Sequence, residues 1–464
     1  MERNIFLNFS PLDHRYYASN QSLFTELADF FSENAYIRYE LKVEAALTRV
    51  LAKRGLCSQA VAEEINKACS EVVPEEVYLE EEITKHNIRA LVNCIQRRVS
   101  DAAKPFVHFT TTSVDIMDTA TAMRFKEATE KVVLPKVLEL EQILIAIARR
   151  EKSTLQVGRT HGQHAVPVTF GFAMAEYVSR LGARIELIRD HAQNLRGKIA
   201  GAVGAYNASS LFFDDPFEFE AEVLWELGLK PSDYSNQIVA PEYLTDYIHA
   251  IISAFGVLAN LADDIRNLQR TEIGEVGEAF EATQVGSSTM PHKRNPWNFE
   301  HVKSMWKEFM PRMITMYADQ ISEHQRDLTN SASGRFVPEI VVGFVAAVDR
   351  LTRVLKKLVV DQERMERNFD LTKEMVIAEP LYILLASLGH PNAHEAVRLL
   401  TLESQKTGKT LRELLVEQTD LFPYWSKLTP NQREVLENPA KYIGWATQKA
   451  EAICDKWEKR LFKP

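Results

Sequence analysis

The stretch LTDYIHAIISAFGVLANLADDIRNL, residues 244–268, decides the fold. Leu244, Tyr247, Ile251, Ala254, Leu258, Leu261, Ile265 and Leu268 recur at steps of three and four, the rhythm of a helix that buries one stripe. The same rhythm runs through Met174, Val178, Leu181, Ile185, Ile188, Ala192, Leu195 and Ile199, and through Val341, Phe344, Val348, Leu351, Leu355 and Leu358. It returns in Val133, Val137, Leu140, Leu144 and Ile147, where Pro135 must begin the helix or kink it, since proline has no N–H and crowds the preceding turn. A fifth helix is predicted from about Asn298. Strand-like alternation is nearly absent, and helices of about 25 to 30 residues extend about 40 Å. These periods predict an all-α fold. An elongated central long-helix bundle over residues 108–363 is flanked by smaller helical domains over 1–107 and 364–464. Gly389-His390-Pro391-Asn392 and Thr429-Pro430-Asn431 read as helix breaks, and the acidic run Glu75 to Glu82 as a solvated face. Broad apolar stripes on such long helices favour burial against further copies of the chain, so an oligomer is expected.

Composition narrows the function. The chain has 464 residues, 45% of them hydrophobic, enough for two or three domains with a substantial core. A formal charge of -9 argues against a general nucleic-acid binder and makes any basic cluster a local site for a small anion. Cys57, Cys69, Cys94 and Cys454 lie far apart, without metal-ligand spacing, and read as reduced thiols of a cytoplasmic protein. The amino terminus lacks an apolar leader-like region, and no later stretch is read as long enough without charge to cross a bilayer, so no membrane role is expected.

Four segments concentrate polar chemistry at helix ends. Gly286-Ser287-Ser288-Thr289-Met290-Pro291-His292-Lys293-Arg294-Asn295-Pro296 cannot be helix, because its glycine and two prolines interrupt it. Its N–H groups near Ser287 and Ser288, beside Lys293 and Asn295, suit a mobile loop that stabilises a carboxylate gaining charge. His108-Phe109-Thr110-Thr111-Thr112-Ser113-Val114-Asp115 offers hydroxyls and free N–H groups at a helix start, as either a plain N-cap or an anion site. Gly158-Arg159-Thr160-His161-Gly162-Gln163-His164 precedes a long helix and supplies His161 as an acid–base candidate or a structural histidine. His161 and His164 lack a nearby third ligand for a metal. In the segment from His324 to Arg335, Arg326 and Arg335 flank Ser331 and could clamp a phosphate, or pair with Asp327 and Glu323 on a surface turn. An acid–base histidine, a serine loop with lysine and asparagine, and arginine-rich anion sites together fit elimination of a group β to a carboxylate.

The loop Gly286 to Pro296 resembles the signature of the fumarase/aspartase superfamily, Gly-Ser-Ser-x-Met-Pro-x-Lys-x-Asn-Pro, at every fixed position. Arg159-Thr160-His161-Gly162-Gln163, Ser10-Pro11-Leu12-Asp13-His14-Arg15-Tyr16 and Asn438-Pro439-Ala440-Lys441-Tyr442-Ile443-Gly444 are similar to its branch acting on succinyl-purine nucleotides. The resemblance spans essentially the whole chain. It implies a cofactor-independent, metal-free homotetramer with active sites shared between subunits, releasing fumarate from adenylosuccinate and from SAICAR in purine biosynthesis. It further implies Ser287 as general base, His161 as the acid that protonates the departing nitrogen, Lys293 and Asn295 as carboxylate holders, and Glu300 as the group orienting His161. His86 joins both the catalytic and the binding sets. Substrate recognition falls by resemblance on Arg15, Tyr16, Lys85, His86, Asn87, Thr112, Ser113, Gln237, Ser288, Lys293, Asn295, Arg326, Ser331 and Arg335, with Ser331 and Arg335 at the phosphate.

Thr110, Asn87, Asn236 and Pro241-Glu242 depart from that pattern, where glycine, aspartate, threonine and Arg-Asp are usual, and Gly334 before Arg335 is also unusual. The alternatives are an argininosuccinate-type lyase, a carboxymuconate-type cycloisomerase and a non-catalytic helical scaffold. Neither of the first two needs a nucleotide phosphate site.

Overall fold

The computed structural model describes residues 5–280 and 288–462 and is 68% helical, with few short strands. The fold is therefore all-α. By packing it divides into two compact units: Met1–Leu138, Ala183–Gly256 and Ser304–Asp349 form the first, and Glu139–Gly182, Val257–Lys303 and Arg350–Pro464 form the second.

The four periodic runs become helices Leu134–Arg150, Phe170–Gln193, Glu242–Leu268 and Val337–Leu355, and the fifth is Trp297–Phe309. Two runs outlast their helices. Leu195, Ile199 and Leu358 keep the rhythm and are buried, but lie past the last helical residue, in short extended segments around Arg196–Gly197 and Val359–Val360. Pro135 sits in the first turn of its helix, directly after a π-helical turn, Thr129–Val133, that follows Ser113–Ala128. Proline leaves the carbonyl four residues earlier without its donor, and a π-turn at that point lets the helical path continue.

In the first unit, aromatic rings link the helices. Phe125 packs edge-on against Phe31 and Tyr247, and Phe255 packs against Phe309 and Phe344. The buried Tyr247 hydroxyl shares a 2.7 Å hydrogen bond with Thr129 Oγ1. The acidic run forms helix Pro74–Thr84, and one of its members departs from the predicted solvated face: Glu80 is buried, held by Asn93 and Arg97. In the second unit, helix Ala446–Phe462 packs Trp457 on Gly182 and pairs Glu458 with Arg149. A separate carboxy-terminal cluster gathers Leu381, Leu400, Leu414 and Leu436 around the breaks at Gly389 and Thr429. All four cysteines are free and buried.

The expectation that no stretch could span a bilayer needs correction. Helix Glu242–Leu268 is long and apolar enough, with mean hydropathy 1.4, although 67% of that window is buried inside the protein. Its apolar stripe faces a core, as Tyr247, Ile251, Phe255, Leu258 and Ile265 all show by their burial.

Helix Glu33–Lys53 carries Glu40, buried with one carboxylate oxygen unpartnered. Burial pushes its pKa from an ordinary 4.5 to about 8, against the opposing pull of Tyr36 and Arg124. The folded state thus holds a proton that the unfolded chain releases. Stability from this group is complete below pH 4.5 and declines as pH rises toward 8. Glu40→Gln should flatten that decline, so the variant gains on the parent between pH 5 and pH 8 in urea unfolding. Parallel pH profiles for the two proteins would refute the assignment.

Candidate active site

The candidate residues fall into two groups, one in each unit. In the second unit, the segment Gly158 to Pro167, read from sequence as an active-site loop ahead of a long helix, lies instead within an antiparallel hairpin of β1, Leu155–Thr160, and β2, Gln163–Thr169. Thr160 pairs with Gln163, so His161 and Gly162 are its two-residue turn, with φ of 54° and 73°. Two successive positive φ values define the type I′ geometry that suits the natural twist of a hairpin. His161 is thereby exposed at the tip of a braced arm. Beneath it, buried Glu275 receives Arg159, Gln156 and Asn368, and His164 Nδ1 lies 2.9 Å from Thr372 Oγ1. Gly158 marks a register shift in β1, where a Cβ would stand 2.5 Å from the Val166 carbonyl oxygen.

Ser287, with Gly286 and the nest expected around them, lies outside the described residues. Ser288 and Lys293 are exposed, Asn295 is half-buried, and the chain from 288 to 296 is not helical, as its prolines require. The Arg294 guanidinium lies 5.6 Å from the centre of the Phe280 ring, and its carbonyl accepts from Gln269. Glu300 is exposed in the first turn of helix Trp297–Phe309. Among the described residues, no group of three or more His, Cys, Asp or Glu is placed to hold a metal ion.

The first unit holds the other group. Arg15 and Tyr16 end a short π-helical turn, Leu12–Tyr16. Lys85, at φ 55°, closes helix Pro74–Thr84, and His86 caps the next helix, Asn87–Gln96. His86 Nδ1 accepts the Arg89 N–H at 3.2 Å, which in a neutral ring leaves the proton on Nε2. The Asn87 amide donates to Met117 Sδ, joining this helix start to helix Ser113–Ala128, which Thr112 precedes.

Buried Asp115 ties that second helix start together. Its carboxylate accepts the N–H groups of Thr112, Ala200 and Gly201 and the buried Lys198 ammonium. Upstream, His108 and Thr110 have φ of 58° and 62°. That left-handed backbone explains why glycine suits position 110, and threonine there costs about 1 kcal/mol or more of strain. The buried Oγ1 atoms of Thr110 and Thr111 have no partner. Buried Glu44 accepts the His108 N–H at 3.0 Å and holds its Nδ1 at 2.6 Å. Burial lowers the His108 pKa, but Glu44's charge and hydrogen bond outweigh it and leave the imidazole above its ordinary value. Sequence reading missed this pair, whose members are 64 positions apart.

Gln237 sits at the tip of a turn closed by a bridge between Ser235 and Val239, and its N–H donates to the Gln325 carbonyl at 3.1 Å. Asn236 Oδ1 accepts the Ile238 N–H, a local bond that threonine makes less well. Pro241 and Glu242 initiate a helix, with a carboxylate in its first turn where the dipole favours it. A Cβ at Gly334 would meet nothing within 4 Å and its φ is not positive, so nothing in the structure requires glycine there.

Beside Gln325, Arg326 donates through Nη1 to the Asp319 carbonyl, while its buried Nε and Nη2 have no partner. Asp327 instead binds Thr329 and the Glu323 N–H, so the surface ion pairs weighed for Arg326 do not form. Ser333 anchors the following turn to Asp319, leaving Ser331 and Arg335 exposed. The unit thus presents an unsatisfied guanidinium edge, two helix starts and an amide-bearing turn. That set can receive an anion with several oxygens.

Known proteins place this arrangement. Residues 14–310 match the lyase family, and residues 322–433 match the adenylosuccinate lyase C-terminal family. The chain belongs to the fumarase/aspartase-type lyases, in the family that includes the adenylosuccinate lyases. It is 36% identical to the adenylosuccinate lyase of Pyrococcus abyssi, over 96% of this chain and 97% of that one. With that of Methanocaldococcus jannaschii it shares 34%, over 96% and 95%. Among solved structures, the 3-carboxy-cis,cis-muconate lactonizing enzyme of Pseudomonas putida matches with TM-score 0.80 at 26% identity, covering 94% of this chain and 97% of that one.

Proposed function

We propose that this chain is the lyase that cleaves adenylosuccinate to AMP and fumarate, and SAICAR to AICAR and fumarate, within purine nucleotide biosynthesis. A base removes the proton beside one succinyl carboxylate, the electron pair of that C–H bond forms the fumarate double bond, the carbon–nitrogen pair leaves on the nitrogen, and an acid protonates it there. Ser287 is the base and His161 the acid. Lys293 and Asn295 hold the carboxylate as it becomes a dianion, and Glu300 polarises His161. Serine serves as a base only where nearby cations or a loop closure that excludes water stabilise its alkoxide, and Lys293 is the cation for that role. Arg15, Tyr16, Lys85, His86, Asn87, Thr112, Ser113, Gln237 and Ser288 bind the substrate, and Arg326, Ser331 and Arg335 bind its phosphate. The working assembly is a cytoplasmic homotetramer with shared active sites.

The observation that carries the nucleotide reading is the buried, unpartnered Nε and Nη2 edge of Arg326. A desolvated guanidinium edge without an acceptor is costly in the empty site, and a phosphate repays it with two parallel bonds. Argininosuccinate and carboxymuconate bring no phosphate. The test is an absorbance assay of the purified protein with adenylosuccinate, with argininosuccinate and 3-carboxymuconate as parallel substrates. Release of AMP and fumarate from the first alone is expected. Turnover of either control in its place would move the chain to another branch.

A further inference from the structure

Asp118, half-buried, is the sixth residue of helix Ser113–Ala128 and belongs to neither the expected catalytic set nor the binding set. Its Oδ2 accepts the Val239 N–H at 2.9 Å. Val239 closes the bridge with Ser235 that makes the tight turn, so this one bond fixes the base of the turn whose tip is Gln237. From its other side, the same turn is held by the Gln237 N–H donating to Gln325, the residue before Arg326. The turn is thus gripped between the helix that begins with Thr112 and Ser113 and the segment that carries Arg326. Local bonds reinforce it: Asn236 Oδ1 receives the Ile238 N–H, and the Ser232 hydroxyl donates to the Tyr234 carbonyl. Gly204 packs so closely under it that a Cβ would meet the Ser235 carbonyl oxygen at 1.9 Å, leaving the turn little room to move from below.

A half-buried carboxylate is expensive to hold unless it does something an amide or hydroxyl cannot. Here it makes a charge-assisted bond to one backbone N–H, roughly twice as strong as a neutral one. Burial, with a smaller push from the Asp115 charge, lifts its pKa to about 6, against the Val239 N–H and the positive charges of Lys198 and Arg326, which favour its ionised form. We propose that Asp118 is a positioning residue, which sets the Gln237 turn against Arg326 so that both side chains meet the substrate already in place. The proposal rests on Gln237 and Arg326 binding substrate, as in the function proposed above. It adds a residue that touches no substrate atom and acts only through the turn.

The experiment is a double-mutant cycle with adenylosuccinate, reading kcat, KM and unfolding temperature for the parent, Asp118→Asn, Gln237→Ala and the double variant. Asparagine keeps the shape and a weaker acceptor, so Asp118→Asn should raise KM about fivefold with kcat within about twofold. Its unfolding temperature should stay within about 2 °C of the parent, because a neutral acceptor still serves the Val239 N–H. In the Gln237→Ala background the same change should raise KM less than about twofold, the non-additivity expected of two residues acting as a unit. An unchanged KM in Asp118→Asn overturns the proposal, and so does an equal rise in both backgrounds. A chain that no longer folds would make Asp118 structural and overturn it as well. If Gln237→Ala alone leaves KM unchanged, the binding role of Gln237 fails first and the proposal falls with it. The single-variant columns tell these two failures apart.

Discussion

His161→Ala is expected to lower kcat for adenylosuccinate by about a thousandfold, the usual worth of a positioned general acid, while leaving the unfolding temperature near that of the parent. The second half follows from where the side chain sits. His161 is exposed at the hairpin tip, whereas the arm below it is braced by Glu275 through Arg159, Gln156 and Asn368. Removing the imidazole therefore removes chemistry and little packing. The backbone needs its own control, since residue 161 has φ 54° and alanine resists that conformation. Asparagine tolerates it better, so His161→Asn should fold like the parent and be as inactive as the alanine variant. Near-parent turnover in the asparagine variant would remove His161 from the mechanism. A matched loss of folding and turnover in both variants would make it a turn residue.

The long helices were legible because their apolar residues repeat over four or more turns, and no competing period survives that length. Their ends were less legible. Leu195, Ile199 and Leu358 continue the rhythm after the helix stops, since an extended segment lying on the same core needs apolar residues too. The hairpin was missed for a different reason. Its turn is His-Gly rather than the asparagine- or aspartate-glycine pairs that usually announce a two-residue loop, and Gly158 and Pro167 interrupt its alternation. A cue was present in the every-second-residue spacing of Leu155 and Val157 in one strand and of Val166 and Val168 in the other, with glycine in the second turn position. The anion site was legible only as hydroxyls, amides and arginines near helix starts. What builds it is buried carboxylate chemistry: Glu44 on His108, Asp115 under Thr112 and Asp118 on Val239. Apart from the capping bond from Asp115 to Thr112, these pairings join residues 64 and 121 positions apart, and local pattern carries no information about such partners.

Asp115→Ala should be the most damaging of these substitutions to the fold, at about 3–5 kcal/mol. The Asp115 carboxylate is fully buried and collects the N–H groups of Thr112, Ala200 and Gly201 at 2.8, 3.0 and 3.1 Å, together with the Lys198 ammonium. Lys198 is itself fully buried, and without Asp115 its ammonium keeps only the Gly201 carbonyl. Three backbone donors and one cation would then lose an acceptor in a place that water does not reach. Leaving such groups unpaired costs more than the paired interaction contributes, because the desolvation they underwent is no longer offset. Removing both ends of the pair should therefore hurt less than removing one. Asp115→Ala/Lys198→Met is expected to recover at least about 1 kcal/mol of the single variant's loss in urea unfolding, with methionine filling the volume of the lysine stem. Equal losses in the single and double variants would mean that the backbone bonds, not the buried ammonium, set the cost. Turnover separates the two consequences further. Asp115 holds the start of the helix that carries Thr112 and Ser113, so the double variant should regain stability without regaining KM, since the Thr112, Ala200 and Gly201 N–H groups remain unpaired.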